Sequence, residues 1–301
     1  MPRAPSGLSE LLEWPTERVA AWVADRPEPL VVGWPFNGTR RWFLGHRGGK
    51  VDYLPALVRR QAAFHRMLLD HGVGIVFAPS FGELNLGRGE EYARRALAGI
   101  LGVAADEVYR GLFRRGVRVR FYGDYRRRLS GPEYRPVLEA CDEITASTAG
   151  GEGPLILFGL FADNAHEAVA DLAVKLFQRN REAPDRAALV EAYYGARIGD
   201  LDLFVGFEQP QLFDVPLVTT GWEDLYFTFN PTPEVDEGQL RAILYDHLVA
   251  RQAPEAEYEK LPEEAQRELI RTNRRRATVG LGRVDPLTGI WRPVLPEGDN
   301  A

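Results

Sequence analysis

The chain contains one cysteine and two methionines in 301 residues, has no long apolar run, and carries no excess of positive charge. The lone thiol, Cys141, excludes an internal disulfide and any cysteine metal cluster, as in a reducing compartment, and reads as a small buried filler. The longest apolar run, LILFGLFA, is far short of the roughly 20 residues a bilayer span needs, so no integral membrane segment is expected. The amino terminus, MPRAPSGLSELLEWP, lacks the continuous apolar region of a signal peptide, and the expected location is the cytoplasm. A net charge of -6 and a pI near 5.6 argue against a nucleic-acid protein. The arginine clusters at 126–128 and 274–276 read as solvated faces.

Several catalytic signatures are missing as well. Histidines stand at 46, 65, 71, 166 and 247, with no His-x-x-x-His or His-x-His spacing to bring two nitrogens onto one metal, which argues against a zinc hydrolase. No Gly-x-Ser-x-Gly elbow supplies a serine nucleophile. Neither a Walker loop nor the Gly-x-Gly-x-x-Gly of dinucleotide folds occurs. No Asp-Asp-x-x-Asp cluster is present, which removes the helical terpene synthase fold. His247, in LYDHLVAR, reads as a packing residue, and Asp200 with Asp202 as turn acids before a strand.

What remains is an ordinary globular composition, 45% hydrophobic and 27% charged, able to bury roughly three-quarters of its unfolded surface. Short apolar runs alternate with longer helical periodicity, the pattern of an α/β fold: a central, mostly parallel sheet flanked by helices. Strands are expected at Leu30–Trp34, Gly74–Ala78, Val117–Tyr122, Leu155–Phe161 and Leu203–Phe207. Helices are expected at about 54–71, 88–101, 105–115, 133–141, 165–180, 186–196, 237–251 and 261–276. DVPLVTTGWEDLYFT reads as a further strand-like segment, and VDPLTGIWRPVLPEGDNA as an aperiodic tail. Without repeat or linker, residues 1–301 read as a single domain, with its core at about 28–251 and a terminal helix and tail at 252–301.

In such sheets ligands sit beyond the carboxyl ends of the strands, so the loops beginning PFNGTRRW, PSFGELNLGR, GDYRRRL, ADNAHE and EQPQLFD are where chemistry belongs. The first offers Gly38 for close backbone approach, the Thr39 hydroxyl, free amides, and the permanent charges of Arg40 and Arg41. That set suits a diphosphate, because the planar guanidinium fork matches phosphate oxygens. An exposed turn with two solvated arginines fits the same residues. Arg88, in LNLGRGEEY, stands where another helix begins and can reach the same rim, or lie on a helix surface. Aromatic residues are common near these loops: Trp34, Phe36, Trp42, Phe43, Tyr53, Phe81, Tyr122, Tyr125 and Trp291. Most belong to the core by base rate, yet aromatic faces also stabilise a carbocation. Arginines for a diphosphate and aromatics for a cation point together to isoprenoid diphosphate chemistry.

The order of motifs resembles the cis-prenyltransferases, the family of undecaprenyl diphosphate synthase. That family's Asp-Gly-Asn-Gly-Arg-Trp is similar to NGTRRW, its Arg-Phe-Ile-Gly-Asp to RFYGD at 120–124, and its Glu-Leu-Tyr-Phe to DLYF at 224–227. Within the family the likeness is to tuberculosinol synthase-type diterpene synthases, through PFNGTRRWF, FYGDYRRRL, YYG at 193–195, FDVPL, LYFT, ILYDH and GIW at 289–291. Chain-elongating members hold a second diphosphate with an arginine-bearing segment after their last long strand. The corresponding VGFEQPQLFDV, residues 205–215, contains no arginine, which argues for one diphosphate and against elongation.

The resemblance implies a terpene synthase that ionises a single prenyl diphosphate, bicyclic and C20, and captures the allylic cation with water. It leaves open a prenyltransferase that passes the cation to a nucleoside or other nucleophile, and a silent isoprenoid-binding subunit. It implies that Gly38, Thr39, Arg40, Arg41 and Arg88 bind the diphosphate, that Tyr53 and Tyr92 position the nucleophile, and that Trp291 covers the cation. Asn37 stands where the family has a metal-serving aspartate, which puts the implied Mg2+ in question, since magnesium favours carboxylates. Asp224 is the substitute ligand the sequence offers. A homodimer is implied by the same likeness.

Overall fold

The computed structural model describes residues 3–45, 52–162, 165–212, 215–252, 254, 256–274 and 278–294. Two short helices, α1 (Leu8–Glu13) and α2 (Thr16–Ala24), precede the first strand, β1 (Val31–Gly33). Then come α3 (Thr39–Gly45), α4 (Tyr53–Asp70), β2 (Ile75–Phe81), α5 (Glu83–Leu86), α6 (Glu90–Ala105), α7 (Glu107–Arg114) and β3 (Arg118–Tyr122). α8 (Tyr125–Arg128) and α9 (Arg135–Ser147) lead to β4 (Leu155–Leu160), α10 (Ala165–Asn180), α11 (Arg186–Tyr194), β5 (Leu203–Phe207) and β6 (Asp224–Thr228). The remainder is α12 (Glu237–Tyr245), a π-helical turn over Asp246–Ala250, α13 (Glu263–Asn273), and the strands β7 (Gly282–Val284) and β8 (Trp291–Pro293).

Six strands form one sheet in the order β3-β4-β2-β1-β5-β6, with every neighbouring pair parallel. The fold is therefore the expected α/β architecture. Strands buried on both faces read as continuous apolar runs, and all of β4, LILFGL, is buried. Successive side chains feed two cores: Val32, Val76, Ala78, Ile156 and Phe158 on one face, Val31, Ile75, Phe77, Leu155 and Leu157 on the other. Side-chain caps start several helices, as where Asp106 accepts from the amides of Val108 and Tyr109 at 2.9 and 3.1 Å.

The strand order contains one feature that decides where a ligand can enter. From β1 the chain crosses to β2 on one side, whereas from β5 it passes to β6 on the other. Neighbouring strands whose exits diverge leave a crevice at their carboxyl ends, between the β1 and β5 loops.

The sequence reading missed the two amino-terminal helices, which are too short for periodicity to declare. Buried Arg241 on α12 holds them, donating to the carbonyls of Leu11, Leu12 and Trp14 at 3.2, 3.1 and 2.6 Å and to Thr16 Oγ1 at 3.1 Å. The loop expected after β1 becomes helical at Thr39. Only Asp224–Thr228 of the strand-like segment at 214–228 is strand, and part of the aperiodic tail pairs as the antiparallel hairpin β7–β8. Positions 275–276 of the second arginine cluster lie outside the described residues, while Arg126, Arg127 and Arg128 make surface ion pairs with Asp142, Asp124 and Glu83.

His65, on α4, is fully buried among Phe64, Tyr109 and Phe158, with Nδ1 2.9 Å from the Tyr109 hydroxyl and Nε2 without a partner among the described residues. Burial lowers its pKa from 6.5 to about 3. The folded chain thus refuses a proton that the unfolded chain accepts, and stability falls as pH drops from 6.5 toward 3. Between pH 6.5 and 4.5 this one residue is expected to cost about 2 to 3 kcal/mol. Denaturant titrations should show that loss in the wild type and its removal in His65→Leu; parallel pH profiles would refute the assignment.

Candidate active site

The site is built on the loop that leaves β1. Gly38 has φ +75, and a Cβ there would lie 2.7 Å from Pro231 Cβ and 2.8 Å from Phe207 Cε1. Only glycine fits, both for the left-handed backbone and for the contact. Thr232 clamps the same loop. Its amide donates to the Asn37 carbonyl at 3.1 Å, its Oγ1 donates to the Pro35 carbonyl at 3.1 Å, and the Asn37 amide donates to Oγ1 at 3.2 Å. The amides of Arg41 and Trp42 then donate to the Gly38 carbonyl at 3.0 Å and start α3.

Helices α4 and α6 bring the second set of residues. A Cβ at Gly99 would lie 3.5 Å from Leu54 and one at Gly102 2.8 Å from Val58, so the two helices run in the same direction at close range. Their amino ends therefore share the carboxyl edge of the sheet. There Thr39 Oγ1 lies 2.9 Å from the Tyr53 hydroxyl, and Arg88 donates to the Tyr92 hydroxyl at 3.0 Å, with its guanidinium 5.3 Å from the ring centre. Burial raises the Tyr53 pKa above its ordinary value, against the Thr39 hydrogen bond; Tyr92 raises it further, and the charges of Arg40 and Arg88 oppose. The phenol is consequently protonated at neutral pH, a hydrogen-bonding group and not a base. Thr39 thus touches Tyr53 and Arg88 touches Tyr92, and the charges of Arg40 and Arg88 act on the Tyr53 phenol. Phe43 lies 5.0 Å from the Tyr53 ring, while Trp34 and Phe64, 5.2 Å apart, belong to the core, with the half-buried Phe36 5.5 Å from Phe64.

Arg41 points elsewhere. It pairs with Glu208, the residue following β5, and lies 4.9 Å over the Phe207 ring. Sequence reasoning noted the lack of arginine in this segment and passed over the acid within it. Phe207, Pro231 and Thr232 carried no signal, because their role is to hold the β1 loop and they lie far from it in sequence.

Two expected residues lie on other elements. Trp291 sits on β8 and packs over Gly282 across the hairpin. Asp224 opens β6, paired in register with Leu203, at the amino edge of the sheet. It accepts from Arg251 at 3.0 Å and lies 2.7 Å from His247 Nδ1. Four residues at roughly 3.3 Å each put it about 13 Å from the strand's carboxyl end, so the substitute-ligand reading of Asp224 is corrected: it belongs to an ion-pair network on the far edge. No group of three or more metal-ligating side chains occurs among the described residues. Asn37 contributes only a neutral amide, so the donor set does not fit a protein-held magnesium site.

Comparison with known proteins gives one strong sequence relative: tuberculosinyl adenosine transferase of Mycobacterium tuberculosis (strain CDC 1551 / Oshkosh) is 36% identical over 290 residues, covering 94% of this chain and 96% of the relative. Among solved structures, lavandulyl diphosphate synthase from Lavandula x intermedia in complex with dimethylallyl diphosphate superposes with a TM-score of 0.59 at 14% identity. That match covers 75% of this chain and 96% of the other. A probable undecaprenyl diphosphate synthase from Campylobacter jejuni gives a TM-score of 0.55 at 16% identity, over 77% and 99%. No family model matches the chain.

The clamp on the β1 loop is testable without any turnover. Gly38→Ala is expected to weaken binding of inorganic pyrophosphate at least about tenfold by calorimetry while the far-ultraviolet spectrum stays unchanged, because the added Cβ displaces the loop from Pro231 and Phe207. Unaltered affinity would remove this loop from the anion site.

Proposed function

The chain belongs to the tuberculosinyl adenosine transferase family, on the cis-prenyltransferase fold, and we propose that it ionises one prenyl diphosphate and transfers the prenyl group to a nitrogen of a nucleoside such as adenosine. The observation that carries this reading is the β1 loop closed over Gly38, with Thr39 hydrogen-bonded to the Tyr53 phenol on which the charges of Arg40 and Arg88 act. The β1 loop and these guanidiniums bind the diphosphate and favour it as a leaving group. The C–O bond breaks with its electron pair going to the diphosphate. Phe36, Phe43 and Tyr53 offer ring faces to the allylic cation. Tyr53, held by Thr39, orients the nucleophile whose lone pair forms the new bond. Trp291 keeps a proposed role as a cover supplied by the hairpin.

Magnesium, where it takes part, is proposed to be carried by the diphosphate's own oxygens. Water is the competing nucleophile, and a terpene alcohol the by-product, since the same cation serves both. A homodimer belongs to the same proposal. β6 is an edge strand, and Leu225 and Phe229 near it are 44% and 50% exposed. Sedimentation equilibrium should give twice the chain mass of 33.8 kDa; a single-chain mass would sink that part.

The reaction is checked by incubation with geranylgeranyl, farnesyl and bicyclic C20 diphosphates, each with and without adenosine and with magnesium titrated. At least one should release diphosphate and yield an adenosine conjugate by mass spectrometry. Asn37→Asp should lower the magnesium concentration for half-maximal rate by about tenfold or more, by supplying a carboxylate. Pyrophosphate binding without turnover on any substrate would instead identify a silent subunit.

A further inference from the structure

Glu208 has no chemical role in the site so far, yet it directly follows β5 and joins that loop to the β1 side through Arg41. Its side chain is 9% exposed, paired with Arg41, and its backbone takes φ +57, a left-handed conformation uncommon for a residue that carries a side chain. The Glu208 amide donates to the Thr228 carbonyl at 2.9 Å, and this fixes the carboxylate at the end of β5. The carboxylate offsets the Arg41 charge, so this side of the site gives a second diphosphate little net attraction, and the carboxylate is placed to share its charge with a group that gains positive charge.

We propose that Glu208 is the acceptor-selecting residue, and that the crevice beside it takes an uncharged nitrogen heterocycle that becomes cationic on alkylation; this rests on the transfer reading above. The balance is simple. The acceptor's ring-nitrogen lone pair forms the C–N bond, the C–O electron pair leaves with the diphosphate, and the positive charge left on the heterocycle is offset by the Glu208 carboxylate. No proton need move in that step. Arg41 meets Glu208 and lies over Phe207, and in this proposal the donors of its five-donor fork that do not meet Glu208 are the ones offered to the leaving diphosphate. The same pairing limits how strongly Arg41 holds a free anion.

Glu208→Gln separates this role from a purely structural one by the sign of two effects. With adenosine as acceptor and geranylgeranyl diphosphate as donor (or whichever donor the wild type turns over), kcat/KM for conjugate should fall at least about 30-fold while alcohol formation stays within about threefold. Pyrophosphate affinity measured by calorimetry should rise several-fold as Arg41 is released. Were Glu208 only a brace for Arg41, pyrophosphate affinity would fall and both products would decline together, which overturns the proposal. Should the wild type release diphosphate but form no conjugate, the transfer reading fails by itself. The calorimetric sign still decides whether Glu208 opposes anions, and unchanged or weaker pyrophosphate binding in Glu208→Gln rejects it.

Discussion

The contact of Gly38 with Phe207 and Pro231 is the constraint on which the site depends. It joins three segments far apart in sequence: the loop after β1, the end of β5 and the turn after β6. Because β1 and β5 are adjacent and exit in opposite directions, their loops would otherwise splay apart. A residue without Cβ lets them touch, and Thr232 adds three hydrogen bonds that hold the contact in one register. Preorganisation of this kind matters where charge develops quickly, since donors already in position pay no reorganisation during bond breaking.

Charge is distributed unequally across that contact. On the α4–α6 side, the charges of Arg40 and Arg88 act on the Tyr53 phenol; on the β5 side, Glu208 takes Arg41. Positive charge thus dominates the α4–α6 side, while on the β5 side the Arg41 charge is offset by Glu208. Such a gradient suits a reaction that separates an anionic leaving group from a cationic fragment, because each product of heterolysis meets its counter-charge. It suits elongation poorly, where two diphosphates must share one site.

Much of the fold was legible because parallel strands buried on both faces declare themselves as apolar runs: β5 was read to the residue and β4 to within one. α1, α2 and α3 were not, since six to nine residues give too little periodicity and their stability is tertiary. The carboxyl-edge rule and the motif order brought Thr39, Arg40, Tyr53, Arg88 and Tyr92 into view, and these act on one another through the Tyr53 and Tyr92 phenols. Glu208 stayed hidden because its meaning lies in a partner 167 positions away, Arg41, which only the strand order brings across the crevice. Asp224 misled for the converse reason: a local motif match says nothing about which end of a strand a residue occupies.

That far end has its own logic. Asp224, His247, Arg251, Asp246 and Tyr226 form a connected network at the amino edge, where no strand exit converges. Burial, with the hydrogen bond to Asp246 adding to it, pushes the Tyr226 phenol up, beyond any titration of use near neutral pH. The π-helical turn that carries His247 is where α12 gives up regular helix to close this network. An acid already satisfied by His247 and Arg251 cannot be withdrawn to serve a metal without leaving the buried His247 nitrogen without its partner, a cost of about 1 to 3 kcal/mol. Asp224 is therefore bound to the architecture of the edge, and the chemistry of the opposite edge must be done with guanidiniums, a loop of amides and Asn37.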